Sequence, residues 1–147
     1  EHARTRFGLT EVFARQDSFR PALRALKGGT PLYLLPDGDF GAAESMFVRF
    51  FNVPAATIPV LARFTKMTSA AVVPCVTEQL PNARGYVVRF YPAWDNPSED
   101  IAADTRRMNA FIEERVLEMP EQYFWIHQRF RTRPPGVPNP YAWRVGK

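Results

Sequence analysis

The sequence predicts an α/β domain, and three stretches carry that expectation. SFRPALRALKGG (18–29) has the apolar spacing of a helix and runs into PLYLL (31–35), a short apolar strand ended by the turn PDGDFG (36–41). PAATIPVLARFTKM (54–67) reads as a second helix before the apolar run AAVVPCV (70–76). GYVVRFYP (85–92), set off by the turn NARG, is the partner strand of that run, and an amphipathic helix follows at 98–120.

Each element has its own signals. In the first helix Phe19, Ala22, Leu23 and Leu26 share a face, Ser18 is placed to cap it, Pro21 is tolerated in the first turn, and Gly28 or Gly29 ends it. In the second helix Pro59 removes an internal hydrogen bond, so the helix starts late or kinks there. The last helix has Ser98 as its cap, Glu99 and Asp100 near the positive helix end, an apolar stripe of Ile101, Thr105, Met108, Ile112 and Val116, and Pro120 as its stop. In PEQYFWIHQRFRTRPPG (120–136), Tyr123, Ile126, His127 and Phe130 share one face of a helical reading, with Arg129 and Arg133 on another.

At 147 residues, 46% apolar and 23% charged, the chain has the size and composition of a single globular domain with a real core. The net charge of +4 suits an anionic partner: nucleic acid, phospholipid or an acidic protein. Basic residues gather at both ends, with no acid after Glu121. The single Cys75, in an apolar run, has no partner for a disulfide or a CxxC metal site and reads as a buried thiol. No apolar run reaches the length of a membrane span.

Three segments are candidates for chemistry. PDGDFG places two carboxylates directly after a strand, where α/β sheets collect ligands; it is also a good tight turn, and without a third oxygen ligand it makes a poor metal site. MFVRFFNVP (46–54) is too apolar for an exposed loop, so it packs in the core or lines the path of an alkyl chain or lipid. His2 and His127 lack the spacing of a zinc site, and His127 reads as a packed, hydrogen-bonded residue. The mixed aromatic and basic residues of 120–136 suit either single-stranded nucleic acid or inward-packed rings with arginines turned to phosphate.

LLPDGDFG, MFVRFFNVPAATIPVLARFT, AAVVPCV, GYVVRFYP, ADTRRMNAFIEE and PEQYFWIHQRFRTRPPG occur together in one order. In this the chain resembles the late acyltransferases of lipid A biosynthesis, the lauroyl and myristoyl transferases of lipopolysaccharide synthesis. PEQYxWxHxRFxTRP is the most specific motif, and the likeness covers nearly the whole of residues 1–147 as part of a single acyltransferase domain. It implies a glycerol-phosphate-acyltransferase-like fold, a mixed sheet flanked by helices. It also implies acyl transfer from acyl carrier protein to a hydroxyl of an acylated, phosphorylated disaccharide lipid, the lipid A precursor. The setting is the cytoplasmic face of the bacterial inner membrane, at the membrane surface, without a cofactor, metal or nucleic acid.

The family's catalytic signature, H-x4-D/E, supplies a general base and an acid that orients it. Neither histidine here has an acid five residues on. The resemblance therefore implies a C-terminal half, with the signature and a membrane helix upstream, and no transfer activity in this piece alone. By position it assigns catalysis to Asp37, the first acid of the PDxDxG motif, and to Arg6, with Arg4 as the fallback. Asp39, Arg129, Arg131 and Arg133, with Arg4, are the expected substrate-binding residues. A guanidinium presents fixed paired donors to a phosphate or a developing oxyanion. Arg49 and Asn52 depart from the family's FVPFFG, Gln128 from its HRRF, and Glu78 stands where relatives often carry Arg. The alternatives are an acyltransferase for another glycolipid, of mannolipid type, and a basic binding module that does no catalysis.

Overall fold

The computed structural model describes residues 5, 6, 8, 10–13, 19–95 and 98–144. The chain divides into two compact units, Glu1–Tyr33 and Leu34–Lys147. In the first, helix α1 spans Arg20–Lys27 with Pro21 in its first turn and Gly28 closing it. Phe19 stands at its N-terminal cap position; Ser18, the expected cap, lies outside the described residues.

The second unit opens differently from the sequence expectation. PLYLL forms no strand: Tyr33 and Leu35 are exposed, and the stretch pairs with no described residue. The segment expected to be helical from Pro54 opens instead as a strand. β1 (Met46–Phe50) and β2 (Val53–Thr57) make an antiparallel hairpin, from Met46 opposite Thr57 to Phe50 opposite Val53. Phe51 and Asn52 form its two-residue loop, with φ of 47° and 61°. Positive φ at both central residues is the turn that matches strand twist, and Asn takes that conformation at little cost. Asn52 thus fits its place in the turn.

Pro59 does delay the helix. α2 runs Val60–Thr68, directly after Pro59, whose missing N–H costs nothing at a helix start. The run at 70–76 is also corrected. Val72 makes a single bridge to Trp94, and the strand proper is β3 (Cys75–Gln79), antiparallel to β4 (Tyr86–Phe90) as expected for 85–92. Cys75 is half-buried and free. Arg89 and Glu78 pair at 2.8 Å within this hairpin. The observed architecture is mixed α/β, with two separate two-stranded antiparallel sheets.

α3 (Ile101–Glu118) packs across β1 and meets α2. Asp100, not Ser98, caps it, accepting from the amides of Ala102 and Ala103 at 2.8 and 3.0 Å. Thr105, Met108 and Val116 are buried as the stripe predicts, and Asn109 is buried with them. Its Nδ2 donates to the Arg49 carbonyl at 3.0 Å, tying α3 to β1. Val48, Phe50, Ala55, Ala56, Thr57, Ala62, Phe64 and Thr65 are buried as well. After α3 the chain makes two short 3-10 turns, Pro120–Gln122 and Trp125–His127, in place of the helix expected there.

Candidate functional site

The PDGDFG turn and the 123–133 segment meet over the end of β2. Gly38 lies close under the Phe40 ring: a Cβ there would stand 2.6 and 2.7 Å from ring atoms, so the ring would have to shift. Gly41 is required by conformation, at φ 88°. Between them Asp39 is fully engaged. Its Oδ2 accepts from the Thr132 amide at 2.6 Å; its Oδ1 accepts from the Thr132 hydroxyl at 2.8 Å and the Gly41 amide at 3.0 Å. Burial pushes this carboxyl up, but the Thr132 and Gly41 donors and the nearby Arg131 charge outweigh it and hold it below its ordinary value.

Arg129 is the anchor. It is 1% exposed, with Nη1 donating to the Ala56 carbonyl at 2.7 Å and Nη2 to the Thr57 hydroxyl oxygen at 2.6 Å. Its guanidinium lies 5.2 Å from the Phe50 ring centre. Burial lowers its pKa, opposed by the electrostatic pull of Tyr123, Asp37, Asp39 and Tyr141. Both Nη groups are therefore spent inside the protein, unlike the substrate-facing arginine expected from sequence.

Asp37 is half-buried beside this charge. The Tyr123 hydroxyl faces it without closing a hydrogen bond of ordinary geometry. Burial first, and the Asp37 carboxylate second, push that hydroxyl well above the normal tyrosine range, so it stays a neutral donor. Arg131 is exposed near Asp39, and Arg133 donates from Nη1 to the Pro54 carbonyl at 2.7 Å. The structure thus gathers Asp37, Asp39, Arg129 and Arg131, with Arg133 bound to the neighbouring start of β2. Arg6 is exposed in the first unit, and Arg4 lies outside the described residues.

His127 is packed, as expected: its ring stacks on Phe124 with centres 6.1 Å apart and planes within 4°, and Nδ1 bonds the Phe124 carbonyl. Tyr123 and Thr132 were missed as site residues, although both stand inside the most specific motif. Among the described residues no cluster of three or more metal-ligating side chains occurs, and no helix is long and apolar enough to cross a membrane.

Residues 1–132 match the family model described as bacterial lipid A biosynthesis acyltransferase. The chain belongs to that family. It is 41% identical over 133 residues to a lipid A biosynthesis acyltransferase of Haemophilus influenzae, covering 90% of this chain and 41% of that protein. It is 37% identical to the Escherichia coli lipid A biosynthesis lauroyltransferase over 81% of this chain and 40% of the relative. The E. coli myristoyltransferase is 37% identical over 94% of this chain and 43% of its own length. The chain spans about two fifths of the length of the curated relatives it matches. The Asp37–Arg129 site lies within the matched region.

Proposed function

We propose that this chain is the C-terminal part of an acyltransferase of lipid A biosynthesis. Its donor is an acyl carrier protein thioester, and its acceptor is a hydroxyl on an acyl chain of the phosphorylated disaccharide precursor, at the cytoplasmic face of the inner membrane. Both compact units belong to one domain of the glycerol-phosphate-acyltransferase type; the family match runs across both of them. That match, in a chain that buries Arg129 beside two acids, carries the reading.

In this reaction the acceptor oxygen attacks the thioester carbonyl. A C–O ester bond forms, the C–S bond breaks, and the carrier thiol leaves with the proton taken from the acceptor. The general base belongs to the His-x4-acid signature, supplied outside this chain's residues. Asp37 orients the acceptor hydroxyl or the base, and Arg6 steadies the developing oxyanion or a phosphate, with Arg4 in reserve. Arg131 and Arg133 form the cationic edge toward the phosphorylated lipid or the acidic carrier. Asp39 and Arg129 contribute to substrate binding from within: Asp39 clamps the turn that carries Asp37, and Arg129 supplies a fixed positive charge behind it.

The test is transfer by the full-length enzyme from acyl carrier protein to defined acceptors, with products read by mass spectrometry. A single added acyl group on the lipid A precursor is expected. Acylation of a mannolipid acceptor alone would reassign the substrate. No transfer at all, with salt-sensitive nucleic-acid binding, would replace the reading with a basic binding module.

A further inference from the structure

Beside the site, three consecutive large apolar side chains are exposed on the surface of this chain. Phe124 is 66% exposed, Trp125 48% and Ile126 76%. They do not sit on a loose loop. The Trp125–His127 turn is held by the His127 amide on the Phe124 carbonyl at 3.3 Å, by the His127 ring stacked on Phe124, and by the left-handed backbone of Gln128. Just upstream, Gln122 braces the turn against β3: its Oε1 accepts from the Gln79 amide at 2.8 Å and its Nε2 donates to the Gln79 carbonyl at 3.2 Å. The apolar triad is thus presented ready-ordered, which lowers the entropy lost on docking.

The chemistry selects the occupant. The Trp125 indole N–H already donates to the Pro120 carbonyl at 2.8 Å, so the ring can leave water without stranding a donor. Exposed Phe, Trp and Ile side by side favour an apolar phase beneath a polar boundary. No acid follows Glu121 in the sequence, while Arg131 is exposed and Arg133 half-buried a few residues on. Cations that follow an apolar turn within a few residues, with no acid among them, match anionic headgroups over acyl chains. We propose that the Phe124–Trp125–Ile126 turn inserts into the surface of an anionic lipid bilayer.

The insertion has a consequence for the site, and here it rests on the acyltransferase reading. The Trp125 ring packs edge-on against Tyr123 at 4.8 Å, and the Tyr123 hydroxyl faces Asp37. A turn sunk into the bilayer therefore sets Asp37 at headgroup height, beside an acceptor whose chains remain in the membrane.

The test reads Trp125 itself. Full-length protein and its Trp125→Phe variant are reconstituted in phosphatidylglycerol–phosphatidylcholine vesicles, with and without brominated acyl chains. The difference in fluorescence between the two proteins isolates Trp125 from every other tryptophan. That signal is expected to be blue-shifted and quenched by about half or more by the brominated chains, as for a ring ~5–10 Å into the headgroup–acyl boundary. F124S/I126S protein should lose most of that quenching. A Trp125 signal untouched by bromine overturns the proposal. So does quenching that is equal in neutral vesicles, or a shielded signal that depends on protein concentration without lipid, which marks a second copy as the occupant. Acyl transfer to a detergent-dispersed acceptor is assayed in parallel: its absence would sink the enzymatic reading while leaving the quenching result standing.

Discussion

Replacing Arg129 tests how the site is held. Arg129→Met keeps the bulk of the side chain but removes both donors. The Ala56 carbonyl and the Thr57 hydroxyl, both in fully buried residues, then lose partners at 2.7 and 2.6 Å. The acids of the PDGDFG turn lose the buried charge beside them. Each charge-assisted hydrogen bond contributes about 1.5–3 kcal/mol, and breaking a buried charged cluster on one side costs about 3–5 kcal/mol. Arg129→Met is therefore expected to lower unfolding free energy by about 3–5 kcal/mol. Arg129→Lys keeps the charge but not the fork, so it reaches one acceptor and should cost about half as much. Urea unfolding of both variants, and of a double-mutant cycle with Thr57→Val, measures this directly. A coupling of about 1 kcal/mol or more between Arg129 and Thr57 is expected. A loss below about 1 kcal/mol for Arg129→Met, or no coupling, would refute the anchoring role.

Asp39 gives a pH prediction. Its folded pKa lies below its unfolded value, so its contribution is fully present above the unfolded pKa and is lost as pH falls through the folded one. The stability gap between the protein and Asp39→Asn should hold from pH 7 to about pH 4 and shrink in more acid solution, as read by unfolding at a series of pH values; a gap unchanged below pH 3 would contradict it. At the β1–β2 turn, Asn52→Gly should be within about 0.5 kcal/mol of the parent, while Asn52→Val should lose about 1–2 kcal/mol because a β-branched residue is held at positive φ. Equal stability of the two variants would count against the turn. Gly38→Ala should displace the Phe40 ring at a cost of about 1 kcal/mol. Partial recovery in a Gly38→Ala/Phe40→Leu double variant would confirm the cause, and a neutral single variant would exclude it.

Much of this molecule was legible where local chemistry decides structure. The long stripe from Ile101 to Val116 gave α3 nearly to its ends, and the apolar run at 85–92 gave β4 and its partner. Pro59 correctly signalled a late helix start. The errors arise where tertiary context overrides local preference. Residues 53–57 have small, helix-tolerant side chains, but the Phe51–Asn52 turn folds them back on β1, and burial between Arg129 and α3 makes them a strand. PLYLL has strand composition but pairs with no described residue. The 123–130 segment has a helical pattern of rings, yet Pro120 and the left-handed Gln128 confine it to short turns. For the site, PDGDFG was visible as a turn bearing acids, but Thr132 lies 93 residues beyond Asp39, and no local pattern announces that contact. Asn109 did leave a trace, as a polar residue four positions after Thr105 on an otherwise apolar face. Arg129 read as a cation for phosphate because sequence shows charge but not burial.

The proposed role of the Arg129-backed turn is to present Asp37 for acyl transfer. Asp37→Asn in the full-length enzyme tests it most directly, with turnover on the lipid A precursor and unfolding free energy measured on the same preparation. A fall in kcat of about 100-fold or more is expected, with stability changed by less than about 1 kcal/mol. Undiminished turnover in a folded Asp37→Asn enzyme would contradict it.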